Sequence, residues 1–215
     1  MNGIVFGNLH SYRDLHLILG EKTIGTPSPK TETIDIPGGD GVLDLTEFFG
    51  EPKYNNRNLT FIFSTVVPRS EFMTLFSNVQ NALHGKRMQI SLDDDPGWYY
   101  TGRISVSEWK AERNIGRLTI DCDCDPYKMT QNQTVITKTV NGTATITLPN
   151  SRKRVVPEVV IQSTSSLNIV YKVGNVWDLG SGSYTLPELE LVEGDNTVTV
   201  TGTGTITFTY HQGKL

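Results

Sequence analysis

The side chains in this chain of 215 residues that could do chemistry are few and poorly spaced for it. Cys122 and Cys124 flank Asp123, and thiolates beside carboxylates are zinc-ligand chemistry. A structural zinc takes four ligands, however, and no second cysteine pair exists to complete the set. Two apart in a strand, the cysteines share one face and lie too close along the chain for an easy disulfide, which reads as two buried strand cysteines beside solvated aspartates. Asp93, Asp94 and Asp95 could offer oxygens to calcium and are the one foothold for a hydrolase. They lack the D-x-D-x-D-G spacing and the distant glutamate of a calcium loop, and a charged hairpin tip before Pro96-Gly97 accounts for them. His10, His16, His84 and His211 are scattered, with no second histidine at i+3 or i+4. No nucleophile elbow, phosphate loop or dinucleotide fingerprint occurs. No catalytic residue, cofactor or metal site is assigned, and the chain is expected not to be an enzyme.

Aromatic side chains are the remaining candidates. A β-sandwich with exposed aromatics can stack sugar rings, and Trp98, Tyr99, Tyr100, Tyr171, Trp177 and Tyr184 are available; in the second half Tyr171, Trp177 and Tyr184 are the candidate sugar contacts. Aromatics in strands also serve as core, and that reading stands beside the first.

The elements that must position these residues are mostly strands. Ile4, Val5 and Phe6 form one short apolar run and Leu15, Leu17, Ile18 and Leu19 another. Residues 25–41, rich in proline and glycine, cannot be a helix or a central strand and are expected to form a long loop or arm. Leu59, Phe61 and Phe63 alternate as a strand that ends before Pro68. One helix is predicted over 70–84, where Phe72, Leu75, Phe76, Val79 and Leu83 fall on a single stripe, with Ser70 as N-cap, Glu71 at the positive end of the dipole and Gly85 at the left-handed position after it. Its apolar stripe is expected to pack on a sheet, with a partner-binding groove as the alternative. Residues 86–106 read as a hairpin turning at the aspartates, and a further strand runs from Arg117 through the cysteines to Asp125-Pro126.

Residues 128–134 are polar and aperiodic and mark a domain boundary, giving an N-terminal domain over 1–130 and a C-terminal domain over 131–215. Beyond it, turn signals at Asn141-Gly142, Pro149-Asn150, Gly174-Asn175, Gly180 to Gly182 and Glu193 to Asn196 imply about seven short strands of a β-sandwich. In the last, Val198, Val200, Ile206, Phe208 and Tyr210 share one face and the threonines the other. Gly202 and Gly204 mark a bend, a bulge or a turn there.

Net charge of -4 and the lack of a basic patch disfavour a nucleic-acid binder, leaving only passive contact with DNA in a channel. Residues 1–133 hold 13 Lys and Arg against 17 Asp and Glu, while 134–215 hold 6 against 6, so the excess is confined to the first part. The start of the chain has no visible secretory signal and no apolar run approaches a membrane span, so a soluble protein made in a cytoplasm is expected, with no membrane partner.

Several segments, taken in order, resemble the distal tail proteins of siphophages and related prophages. They are the opening GIVFGNLHSYRDLHLIL, the loop IPGGDGVLDLTEFFG, the following YNNRNLTFIF, the strand ending CDCDPY and the closing GTGTITFTYHQGKL. The resemblance spans the chain and is most specific from Ile36 to Asp44, with Tyr54 and Arg57 behind it. It implies a mainly β protein with one helix: an N-terminal β-sandwich with an α-helix and a β-hairpin arm, then a galectin-like or carbohydrate-module-like sandwich. It further implies a structural part at the distal end of a virion tail, made in the host bacterial cytoplasm. Six copies would close into a homohexameric ring, possibly stacked, that joins the tail tube to the baseplate or tail-tip hub and leaves a channel for DNA.

The implied partners are further copies, the tail tube protein, the tape measure protein, a tail-tip hub or tail-associated lysin, and a receptor-binding protein. Such a ring needs two different patches that recognise each other. The loop around 25–57 and the hairpin around 86–106 are the candidates, with Pro37, Gly38, Asp40, Tyr54, Arg57 and Trp98 as contacts and strand addition as the mechanism. The alternative function is a carbohydrate-binding module that aids adsorption to the host cell wall. The small size of the second domain, about eighty residues, argues against long inserted carbohydrate modules.

Overall fold

The structure is a computed structural model that describes residues 2–48, 50–65, 67–112 and 115–215, with Glu112 described by its backbone alone. Two compact units divide the chain, Met1–Pro126 and Tyr127–Leu215.

The first unit contains β1 (Ile4–Phe6), β2 (Leu9–His10), β3 (Leu17–Ile24), β4 (Thr33–Asp35), β5 (Val42–Asp44) and β6 (Arg57–Thr65). Helix α1 (Phe72–Leu83) follows, then β7 (Arg87–Leu92), β8 (Trp98–Glu112) and β9 (Ile115–Cys124). All but β4 and β5 join one antiparallel sheet in the order β2-β1-β7-β8-β9-β6-β3. Period-two alternation explains the inner face: Leu59, Phe61 and Phe63 of β6 and Leu118, Ile120, Cys122 and Cys124 of β9 all point into the core. Phe6 packs edge-on against Phe61 at 6.0 Å and Phe63 at 6.3 Å, although β7, β8 and β9 stand between β1 and β6 in the sheet. The sheet therefore curls until its two halves face each other, as in a sandwich. A register shift after Val106 lets β8 continue past β7 and pair with β9 to its end.

Helix α1 covers this core with Val79 and Leu83 and clasps Trp109 of β8 between Phe72 (5.7 Å) and Phe76 (5.4 Å). It starts two residues later than the predicted cap. Pro68 is extended and its carbonyl accepts from the Glu71 N–H, so Arg69–Glu71 form a 3₁₀ turn and Ser70 caps nothing. At the other end Gly85 takes φ +76, and Lys86 donates to the carbonyls of Asn81 and Ala82, satisfying the helix C-terminus.

The second unit contains β10 (Lys128–Thr130), β11 (Thr134–Asn150), β12 (Glu158–Ser163), β13 (Leu167–Tyr171), β14 (Asn175–Leu179), β15 (Gly182–Thr185), β16 (Gly194–Tyr210) and β17 (Gly213–Lys214). The polar segment expected to be irregular includes β10, which pairs with β17. Where a turn was expected at Asn141-Gly142, and a bend, a bulge or a turn at Gly202 and Gly204, β11 and β16 run on as continuous strands that bend. They pair residue for residue from Thr134↔Tyr210 to Asn150↔Gly194. Gly142 lies opposite Gly202, both at positive φ (+94 and +138), and there the ribbon changes its neighbour within one six-stranded sheet. Before the bend β16 pairs with β13, and after it with β12. A Cβ on Gly202 would sit 2.7 Å from Leu167 Cδ2, which is why the corner needs glycine. The inner face predicted for β16 is buried in full, from Val198 to Tyr210.

Candidate assembly interface

Between β3 and β6 the chain leaves the sheet of the first unit as a separate hairpin, β4 against β5, with Ile34 opposite Leu43. Pro37, Gly38 and Asp40 all lie in its turn, where Gly38 (φ +74) and Gly41 (φ +79) supply left-handed positions and Gly39 N–H donates to the Ile36 carbonyl at 3.1 Å. The root is tied: Tyr54 bridges Pro29, Lys30 N–H donates to the Lys53 carbonyl at 2.7 Å, and Asn55 N–H donates to the Ser28 carbonyl at 2.9 Å. Leu45 N–H donates to the Glu32 carbonyl at 2.8 Å, and the Thr46 hydroxyl accepts from Glu32 N–H. The same hydroxyl, and then the Thr46 N–H, hold the Asp44 carboxyl below the usual carboxylate range. The arm is thus a formed hairpin and not a loose loop.

Its surface is apolar and acidic at once. Ile34, Val42 and Leu43 are each 52% exposed and Phe48 71%, with Ile36 exposed beside them. Residues 30–53 hold six acidic side chains (Glu32, Asp35, Asp40, Asp44, Glu47, Glu51) against Lys30 and Lys53, an excess equal to the net charge of the whole chain. Exposed aliphatics in a contiguous element mark a contact surface, since nothing in the hairpin itself covers them. Sequence reasoning missed these five. The available signal was the alternation of Ile-Asp-Ile with Val-Leu-Asp about a glycine turn, which marks a hairpin with one apolar face.

The other proposed contacts are placed elsewhere. Arg57 is buried in β6: its Nε donates to the Gly25 carbonyl at 2.9 Å and its guanidinium lies 5.4 Å from the Tyr100 ring centre, so it braces the sheet beneath the arm. Trp98 opens β8, half-buried, in a different hairpin. Of the sugar-contact candidates, Tyr171 is core, with its hydroxyl 2.7 Å from the Glu190 carbonyl oxygen and 2.9 Å from Asn196 Oδ1. Trp177 and Tyr184 are half-buried against the second core, and the Tyr184 hydroxyl donates to the Gly180 carbonyl at 3.1 Å. Tyr171 therefore offers no ring face to a sugar, the outcome expected when an inward strand position carries an aromatic residue.

The titratable residues with metal or acid–base potential are engaged locally. Asp93 accepts from Gly3 N–H at 2.8 Å and from His10 Nε2 at 3.0 Å, and Asp94 pairs with Lys22. Burial pushes the thiols of Cys122 and Cys124 up, the latter to about 12, so both are protonated at neutral pH. Among the described residues no group of three or more His, Cys, Asp or Glu is placed to hold a metal ion. Nor is any helix long and apolar enough to cross a membrane.

Two β-rich units, the first with a single helix and an exposed hairpin, the second a sandwich, define the class by fold. No family model and no curated protein matches the chain in sequence. Among solved structures, the Dit protein (gp 19.1) of phage SPP1 matches with a TM-score of 0.75 over 100% of both chains at 16% identity. That structure is described as a paradigm of the hub adsorption apparatus in phages infecting Gram-positive bacteria. The fold of this chain is thus that of the SPP1 protein from end to end, in keeping with the distal tail resemblance read from its segments.

Proposed function

We propose that this chain is a structural subunit of a phage tail hub, in which copies join head to tail through the hairpin arm and close into a six-membered ring around an open channel. The arm carries the reading: an ordered element, tied at its root, with exposed aliphatic side chains and an acidic excess. A partner that buries Ile34 and Leu43 supplies the cover, and a heterologous contact of this kind generates rings when its rotation closes. In such a ring the tail tube and tape measure proteins lie on one side and a tail-tip hub or lysin on the other, and DNA passes through without sequence readout. The fold shared with the SPP1 protein supports this reading.

Light scattering on the full chain tests it. The wild type is expected to assemble toward six times 23.9 kDa. Ile34→Ser/Leu43→Ser is expected to lose the assembled species while the subunit keeps its fold by circular dichroism, because both side chains are already about half exposed. Equal assembly by the variant would remove the arm from the mechanism.

A further inference from the structure

We propose that the sheet β14-β13-β16-β11 of the C-terminal unit continues into a second copy of this chain, with β14 of one copy adding to the free edge of β11 of the next between Thr143 and Leu148.

Strand β11 is 17 residues long, and among the described residues it pairs with β16 alone. No backbone hydrogen bond leaves its other edge among the described residues, where Thr143, Thr145 and Thr147 are exposed while Ile146 and Leu148 are buried. Long edges of this kind are usually guarded by inward charges, bends or prolines. Two stretches of β11 are. Lys138 sits on the inner-facing side of its first half, opposite Ile206, and Gly142 bends the strand. Pro149 closes the far end. Between Gly142 and Pro149 the run Thr-Ala-Thr-Ile-Thr-Leu has no charge, no proline and strong β-formers, so the edge there is bare.

The opposite edge of the same sheet is bare as well. Strand β14 is five residues long and pairs only with β13 among the described residues. Val176 is 53% exposed on its outer face, the neighbouring Val173 is fully exposed, and Asp178 is its one charge. Its length fits the unguarded stretch of β11. Each pairing from β11 through β16 and β13 to β14 is antiparallel, so joining β14 to the next β11 keeps the whole sheet antiparallel.

The faces also agree. Setting Trp177 opposite Ile146 places inward Leu179 opposite inward Ala144, and outward Val176 and Asp178 opposite outward Thr147 and Thr145. A one-residue slip would turn Trp177 toward water. A second copy is the occupant because the two bare edges are complementary in length, direction and facing. This contact does not depend on the arm, and so stands apart from the ring reading.

Cysteine pairs in the full chain test it. Cα atoms opposite each other in an antiparallel pair lie roughly 4.5–5.5 Å apart, within reach of a disulfide. The native Cys122 and Cys124 are buried and do not compete. Under mild oxidation Val176→Cys/Thr147→Cys is expected to give a ladder of disulfide-linked dimers and higher species, several-fold above either single variant and above the offset pair Val176→Cys/Thr143→Cys. Both positions are exposed, so the fold is kept. In the unmodified chain, amide exchange over 143–148 is expected to slow as concentration rises. Cross-linking no greater than that of the single variants, exchange independent of concentration, or dimers formed by Thr145→Cys alone, which would mean β11 pairing with itself about a two-fold axis, would each overturn the proposal. Rings seen without cross-linking would remove this contact and leave the arm reading intact.

Discussion

Asp93 fastens the start of the chain to the tip of the β7–β8 hairpin. His10 Nδ1 accepts from the N–H groups of Tyr12 (3.1 Å) and Arg13 (3.2 Å), so its proton sits on Nε2 and is donated to Asp93. The ring lies against Gly3, where a Cβ would fall 2.5 Å from His10 Cε1. Burial opposes ionisation of Asp93, but the hydrogen bonds from His10 and Gly3 outweigh it and hold the carboxyl below its ordinary value. A carboxyl lowered on folding stabilises the fold above its unfolded pKa, and that stability is lost as pH falls through the folded value. Asp93→Asn is therefore expected to cost on the order of 1 kcal/mol near neutral pH, discounted for partial exposure. The deficit should shrink toward zero in denaturation curves taken at progressively lower pH through the carboxylate range. In the sequence Asp93 looked like one of three equivalent turn aspartates. Its distinction comes from a partner 83 positions away, which no local pattern reveals.

The helix, the β6 and β9 strands and the inner face of β16 were legible because each is a regular apolar period longer than its turn signals. The β11–β16 ribbon was not. Asn-Gly is turn chemistry in isolation and Gly-x-Gly leaves bend, bulge and turn open, and only pairing along the whole ribbon selects a bend within one strand. That account makes the two glycines unequal. Gly202→Ala meets Leu167 as well as an unfavourable φ and is expected to cost roughly 1–3 kcal/mol of unfolding free energy in chemical denaturation. Gly142→Ala, with nothing within 4 Å of a new Cβ, is expected to cost less. Equal losses would mean that steric approach at the corner is not what fixes Gly202. The arm was legible as an arm, but its apolar face was not, because exposed and buried aliphatics look alike in a sequence.

At the scale of the whole molecule, charge and apolar exposure are concentrated in the same element. The arm holds an excess of acid equal to the net charge of the chain, so contact with a neighbour combines apolar burial with a screened electrostatic component. If burial of Ile34 and Leu43 dominates, raising salt should weaken assembly only modestly, whereas the Ile34→Ser/Leu43→Ser variant should lose it, and sedimentation at two ionic strengths separates the terms. Of the candidate contacts, Pro37, Gly38 and Asp40 lie in the turn of the arm. The sequence could not foresee that Arg57 turns inward onto Tyr100, because an arginine at an inward strand position is read as exposed until its cover is seen. Closure into a ring is the property that distinguishes a hub subunit from a monomeric module. Class averages of negatively stained, purified full-length chain are expected to show six-fold rings with an open centre, and a uniform population of single-subunit particles at high protein concentration would contradict it.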